Sequence, residues 1–175
     1  MIARLFDILS DDDKIQLTEK INSFCNDNDA PGWKFQGTSN EDNRDKPFWF
    51  LNLEKDHFFN DVLFRRIKFV IKELLDEDVE YNRIYLNGHT FGQQGYFHTD
   101  DDREEGRTLL IYINDDWKVE YAGATVFADG DNFVTIYPDA FSGVYFNGNI
   151  PHHSQPISKD FHGLRITLAY KLHVV

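Results

Sequence analysis

From Val79 onward, strand-like runs follow one another too closely to leave a helix between them. The runs are 83–87, 95–99, 108–114, 124–128, 133–137, 143–146 and 164–174, and Gly, Asn, Asp and Pro separate them. A parallel sheet needs a crossover of a dozen or more residues between paired strands, usually a helix. That architecture is excluded. Many short strands behind a helical front predict a mostly β chain with flanking helices (α+β). Its core would be a jelly roll, a double-stranded β-helix, with the N-terminal helices packed on one sheet.

The front half supplies those helices. Ser10 is a candidate N-cap followed by acidic residues, and Ile15, Ile21, Phe24 and Cys25 recur at helical spacing. A second helix is expected over 60–75, with Val62, Leu63, Ile67, Val70, Ile71, Leu74 and Leu75 as its apolar stripe. Between them, 32–45 is polar around Trp33 and Phe35, and 38–45 reads as an exposed loop. An aromatic strand follows at 48–53. One domain over 1–175 is expected, with 1–78 as helical support and a lid-like loop, and 79–175 as the core carrying the site. Apolar residues at 41%, with 16 Phe, are enough to fill that core and exclude a disordered chain.

The net charge of -12 argues against a nucleic-acid partner and weakly favours a cationic one, beyond its role in solubility. Met1 leads directly into Ile2-Ala3-Arg4-Leu5-Phe6, too short for a signal sequence, and no apolar run reaches the length of a membrane span. A single cysteine, Cys25, cannot form an internal disulfide, so a cytoplasmic protein is expected.

The chemistry-bearing residues sit in the back half. His98 and Asp100, two apart on a strand, project to one side and can meet one cation. A third ligand must come from elsewhere, and His152 and His153 are the candidates. They point to opposite faces, and either could be an ordinary polar residue on a loop edge. Asp101 faces away from His98, and Asp102 reaches the site only if the chain turns sharply. Two histidines and a carboxylate on one face of an octahedron suit non-haem Fe(II) oxygenases. Zinc hydrolases use the same ligand types, so the ligands leave the metal open. Further on, Arg165, Thr167 and Ala169 alternate with Ile166, Leu168, Tyr170 and Leu172. An arginine turned into a barrel requires an anion or an internal acid.

In that order these residues resemble the prolyl-hydroxylase-like branch of the Fe(II)/2-oxoglutarate dioxygenases, over about 81–172. Gly95-Tyr96-Phe97-His98-Thr99-Asp100 is similar to the family's first ligand strand. Tyr112-Ile113-Asn114 leading to Trp117 is similar to its Tyr-Leu-Asn strand, and Ala122-Gly123-Ala124-Thr125-Val126-Phe127 to its Gly-Gly-x-Thr-x-Phe strand. His152 stands four residues before Pro156, and Arg165-Ile166-Thr167 follows. The resemblance implies that His98, Asp100 and His152 bind Fe(II). It implies that Arg165 pairs with the far carboxylate of 2-oxoglutarate, with Tyr112 and Thr167 as further partners. It also implies O2 as co-substrate and ascorbate as reductant.

The implied activity is hydroxylation of an unactivated C–H bond with release of succinate and CO2. The target would be a prolyl residue of a protein or peptide, and the net charge points to a basic one. Another residue, a free amino acid or another small molecule is an alternative within the same chemistry, and a non-catalytic jelly-roll binding module is one outside it. Trp33, Trp49, Tyr96 and Trp117 could line a proline pocket or fill the core. The polar run Asn40, Glu41, Asp42, Asn43 and Arg44 is a candidate substrate lid. Two departures stand out. Ala122 replaces a glycine, which is harmless if its φ is negative. The gap from His152 to Arg165 is long, with 158–163 read as an inserted turn.

Overall fold

The computed structural model describes residues 1–26, 32–36 and 47–175. Ten strands among them are β1 (Ile2–Leu5), β2 (Lys34–Gln36), β3 (Phe48–Asn52), β4 (Val79–His89), β5 (Gly106–Tyr112), β6 (Thr125–Asp129), β7 (Asn132–Ile136), β8 (Gly143–Asn147), β9 (His152–Ser154) and β10 (Arg165–Val174). Two α-helices accompany them, α1 (Asp11–Asn26) and α2 (Leu63–Leu75). Seven strands form one sheet in the order β1-β8-β5-β10-β4-β3-β2, and β7-β6-β9 form another. Every strand pairing within the two sheets is antiparallel. The chain is thus mostly β with two helices, as its strand spacing predicts. No helix among the described residues is long and apolar enough to cross a membrane.

Helix α1 begins where the sequence places it. The Ser10 hydroxyl accepts the Asp13 N–H at 3.2 Å, and the Asp13 carboxylate accepts the Ser10 N–H at 2.8 Å. This reciprocal box satisfies two donors at the helix start. Leu17, Ile21 and Phe24 are buried, whereas Ile15, expected in the stripe, is exposed. Ahead of α2 lies a π-helical turn, Phe58–Val62, and the buried face is Leu63, Phe64, Ile67 and Ile71. Val62 and Leu74, both expected inside, are exposed. Val62 lies in the π-turn itself, and Leu74 lies in the last turn of α2.

Strand alternation divides the large sheet into two faces. Ile84, Leu86, Leu109, Ile111, Leu168, Tyr170 and Leu172 belong to the core that contains Leu17, Phe59 and Ile67 of the helical layer. Leu110, Tyr112, Val144, Phe146 and Ala169 belong to a second cluster with Phe127 and Ile136 of the small sheet. Arg165 and Thr167 share the parity of Ala169 and so lie on the face turned to the small sheet.

One expected strand is replaced by something smaller. Residues 95–99 form no ladder, and only His98 makes a bridge, to His152. The two residues exchange both backbone hydrogen bonds, at 3.1 and 2.9 Å. Strand β9 is only three residues long and gives its other edge to β6, which leaves room for little more than this one pair. The strands β1, β2 and β9 were not expected; all are short, and β1 and β2 lie at the ends of the large sheet.

Candidate metal centre

The His98–His152 bridge sets two imidazoles side by side, with ring centroids 4.5 Å apart. Asp100 completes a group whose ligand atoms all lie within 4.8 Å of one another. His98 Nε2 is 3.5 Å from Asp100 Oδ1, and His152 Nε2 is 3.4 Å from Oδ2. Each ring is oriented by a carbonyl. His98 Nδ1 lies 2.9 Å from the Tyr96 oxygen, and His152 Nδ1 lies 3.0 Å from the Ile150 oxygen. A carbonyl only accepts, so each Nδ1 carries a hydrogen, and each ring turns its Nε2 toward the carboxylate. Two imidazole nitrogens beside a carboxylate are a good fit for a cation, and the carbonyl partners are the usual outer support of metal-bound histidines.

The neighbouring candidates are engaged elsewhere. Asp101 accepts from the Arg103 guanidinium and backbone, with Nη2 to Oδ2 at 2.7 Å. Asp102 accepts from Thr99 Oγ1 at 2.9 Å. His153 turns the other way, with its ring 4.4 Å from that of Phe97. The carboxylate segment itself is held by Gly148, whose oxygen accepts from Asp100 N at 2.8 Å and Asp101 N at 3.2 Å. A Cβ on Gly148 would lie 2.8 Å from Asp101 Cβ, so the approach depends on glycine.

Asp100 has further partners that the sequence did not single out. Thr108 Oγ1 donates to Oδ2 at 2.7 Å, and the Lys171 ammonium contacts the same oxygen. Burial pushes the Asp100 carboxyl up, but Lys171 and then His152 outweigh it and hold it well below the usual carboxylate range. For His152, burial prevails over Asp100 and brings the imidazole down to about 4. Burial also opposes charge on His98, yet the Asp100 carboxylate outweighs it and raises that group.

A cavity of about 120 Å³ opens between the sheets over this centre. Its walls include His98 and His152, Tyr85, Asn87 and His89 from β4, Thr125 from β6, and Arg165, Thr167 and Lys171 from β10. Arg165 is only 2% exposed, and its Nε has no hydrogen-bond partner among the described residues. Its guanidinium lies 5.6 Å from the centre of the Tyr112 ring. The Tyr112 hydroxyl donates to Thr125 Oγ1 at 2.8 Å, and Tyr112 stands opposite Thr167 in the β5–β10 register. No described carboxylate pairs with Arg165, and a buried guanidinium calls for an anion.

Asn114 fixes where Arg165 enters the sheet. Its amide donates to the Leu164 carbonyl at 3.0 Å and accepts from Ile166 N at 2.8 Å. The long connection before Arg165 is packed: the Phe161 ring lies 4.7 Å from that of Trp117 and 5.0 Å from that of Tyr121. Ala122 has φ 57° and ψ -131°, so the condition under which its replacement of glycine would be harmless is not met. Gly123 beside it is also at positive φ, and the pair turns the chain from the Val119–Tyr121 helical turn into β6. None of Trp33, Trp49, Tyr96 and Trp117 lines the cavity. The lid candidates Asn40, Glu41, Asp42, Asn43 and Arg44 lie outside the described residues.

Sequence reasoning missed Thr108, Thr125, Asn87, His89 and Lys171. One signal existed: the alternation that joins Arg165, Thr167 and Ala169 extends to Lys171. The strand β4 residues gave none, because Asn and His in a strand are as often solvated as buried.

No family model matches this chain, and no curated protein does. Solved structures do. An oxidoreductase of the 2OG-Fe(II) oxygenase family from Burkholderia pseudomallei matches with a TM-score of 0.76 at 8% identity, covering 98% of this chain and 84% of that one. A prolyl-4-hydroxylase from Pseudomonas putida matches at 0.70 and 14% identity, covering 98% and 91%. A prolyl hydroxylase from Trichoplax adhaerens, in complex with a peptide of hypoxia inducible factor, matches at 0.70 and 13%, covering 98% and 83%. The chain therefore has the fold of 2OG-Fe(II) oxygenases, prolyl hydroxylases among them, and carries in it two histidines and an aspartate able to hold a metal ion.

Proposed function

We propose that the protein is an Fe(II)- and 2-oxoglutarate-dependent oxygenase that hydroxylates an unactivated C–H bond, acting as one domain over 1–175 with a jelly-roll core. One observation carries this reading. Two imidazole Nε2 atoms and one carboxylate converge to within 4.8 Å, in a cavity that also contains a buried guanidinium whose Nε has no hydrogen-bond partner among the described residues. A metal-dependent hydrolase would need the first feature and would not require the second to contact a bound oxo-acid.

In this reading His98, Asp100 and His152 hold ferrous iron. Arg165 pairs with the far carboxylate of 2-oxoglutarate, and Tyr112 and Thr167 hydrogen-bond the same end. Iron, 2-oxoglutarate and O2 together supply the oxidative decarboxylation that gives succinate, CO2 and one oxygen atom for the substrate. The chain's own residues orient and seal. Tyr96 and Ile150 keep the Nδ1 hydrogens in place, Thr108 holds one Asp100 oxygen, and Leu110 and Thr125 wall the cavity. A dry, shaped cavity limits side reactions.

A prolyl residue of a peptide is the target we favour, supported by the prolyl hydroxylases among the fold's relatives. The fold also supports a 2-oxoglutarate-dependent epimerase, so substrate identity needs its own evidence. The reading is tested with purified protein, ferrous iron, 2-oxoglutarate and ascorbate. Succinate release is expected, and Arg165→Met should raise the 2-oxoglutarate requirement at least ~100-fold, the scale of a lost bidentate charged pair. Absence of both 2-oxoglutarate binding and succinate release overturns it.

A further inference from the structure

The cavity contains a second cation, Lys171, whose side chain is 16% exposed. Lys171 is on the same face of β10 as Arg165, six residues along, so their Cα atoms are about 20 Å apart. The two therefore serve different ends of the cavity. Arg165 stands by Tyr112, away from the metal group. Lys171 stands at the metal group, with its ammonium on Asp100, 3.5 Å from Thr108 Oγ1 and 5.8 Å from the centre of the Tyr85 ring. Among the described residues lining the cavity there is no acid.

Resting on the proposed function, the charges can be summed. Asp100 and a 2-oxoglutarate dianion bring three negative charges, and a divalent ion with Arg165 brings three positive ones. The set is neutral without Lys171. The ammonium is one positive charge too many, in a partly buried place that screens it poorly. A divalent ion on Asp100 also draws on the charge that now stabilises Lys171. A buried cation left without a counter-charge is costly, so the assembled site favours a further anion beside the metal. Phosphate would bring up to two charges where one is missing, whereas a carboxylate supplies one.

We propose that Lys171 is a specificity-determining residue, and that the substrate carries a carboxylate close to the carbon that reacts. In a peptide this is a terminal carboxylate or an acidic neighbour of the target residue. In a free acid it is the acid group itself. Either choice differs from the basic partner that the net charge of the whole chain suggests. The charge of the site, rather than that of the surface, sets what enters it.

The test uses intact protein loaded with Mn(II) and saturating 2-oxoglutarate, and acetate as the probe. Mn(II) broadens the proton signals of a molecule bound near it. Saturable broadening of the acetate methyl signal is expected in the wild type. Lys171→Met and Lys171→Gln should each weaken acetate at least tenfold, while Lys171→Arg retains it. N-acetyl-L-proline should bind at least tenfold more tightly than N-acetyl-L-prolinamide. Acetate binding without N-acetyl-L-proline binding still supports carboxylate recognition and excludes an acylproline terminus as its source. No saturable broadening by either carboxylate, measurable and equal binding of acid and amide, or acetate affinity unchanged in both Met and Gln variants overturns the inference. Broadening of the 2-oxoglutarate methylene signals in the same samples reports separately on the parent reading. If those are absent the function is wrong, and if they are present without a carboxylate effect only this inference fails.

Discussion

The two faces of the seven-stranded sheet are made by the same strands and have opposite characters. Along β10, Leu168, Tyr170 and Leu172 join the core that contains the helices. Arg165, Thr167 and Lys171 line the cavity on the other side. The helix-side face is mostly apolar: Leu168, Tyr170 and Leu172 are buried, and the Tyr170 hydroxyl has a partner, donating to the Phe59 carbonyl at 2.9 Å, although Trp33 Nε1 beside this core has none among the described residues. The cavity face is unsaturated, with Asn87 Oδ1, His89 Nδ1 and Arg165 Nε all buried and unpartnered. One face supplies stability, and the other keeps polar groups ready for ligands at a cost in stability.

The largest effect should come from the cavity face. His152→Gln is expected to lower Mn(II) affinity at least ~100-fold while changing stability by about 1 kcal/mol or less, as read by proton relaxation and thermal unfolding. A variant that unfolds instead would show that both faces are structural. Leu168→Ala is the converse experiment. It should cost about 2–5 kcal/mol in urea unfolding and leave metal affinity per folded molecule unchanged.

A pH series sharpens the comparison. Burial, and then the nearby Arg165, bring His89 down from 6.5 to about 3. The folded protein therefore keeps this imidazole neutral in a window where the unfolded chain binds a proton. Stability from this group is complete above 6.5 and is lost as pH falls from there toward about 3. His89→Phe should make the acid-side fall in urea stability shallower between pH 6 and pH 4, and an unchanged slope would mean that His89 is not held neutral. The smallest effect concerns a turn. Ala122→Gly relieves a positive φ and should raise stability by about 1 kcal/mol, with no change in metal binding. A loss would mean that the alanine methyl has a packing role.

Much of the fold was legible because strands and helices leave local signals. Close spacing of strand runs excluded a wound parallel sheet, and Ser10 with Asp13 marked the start of α1 within a single turn. Residues whose environment depends on a partner were harder. Ile15 and Leu74 matched the helical spacing yet lie outside, because the period gives the spacing of a stripe and not the direction in which a particular helix turns. The π-turn before α2 left no mark that period counting could detect. The segment 95–99 read as a strand because it alternates, while the short β9 offers it only one pairing.

The candidate site shows the same division. The sequence alone determined which groups were available: a histidine and an aspartate two apart, a pair of histidines downstream, and an arginine on an alternating strand. Alternation also fixed that Arg165 and Thr167 share a face, since backbone geometry sets side-chain direction two residues at a time. Only the tertiary structure decided that His152 rather than His153 meets His98 and Asp100, because that choice depends on a single bridge between segments 54 residues apart. Only it brought Lys171 onto Asp100 and buried Arg165 with no carboxylate partner among the described residues. Local chemistry is encoded residue by residue, but the charge of a cavity is a sum over distant strands, and it has no value until they are packed together.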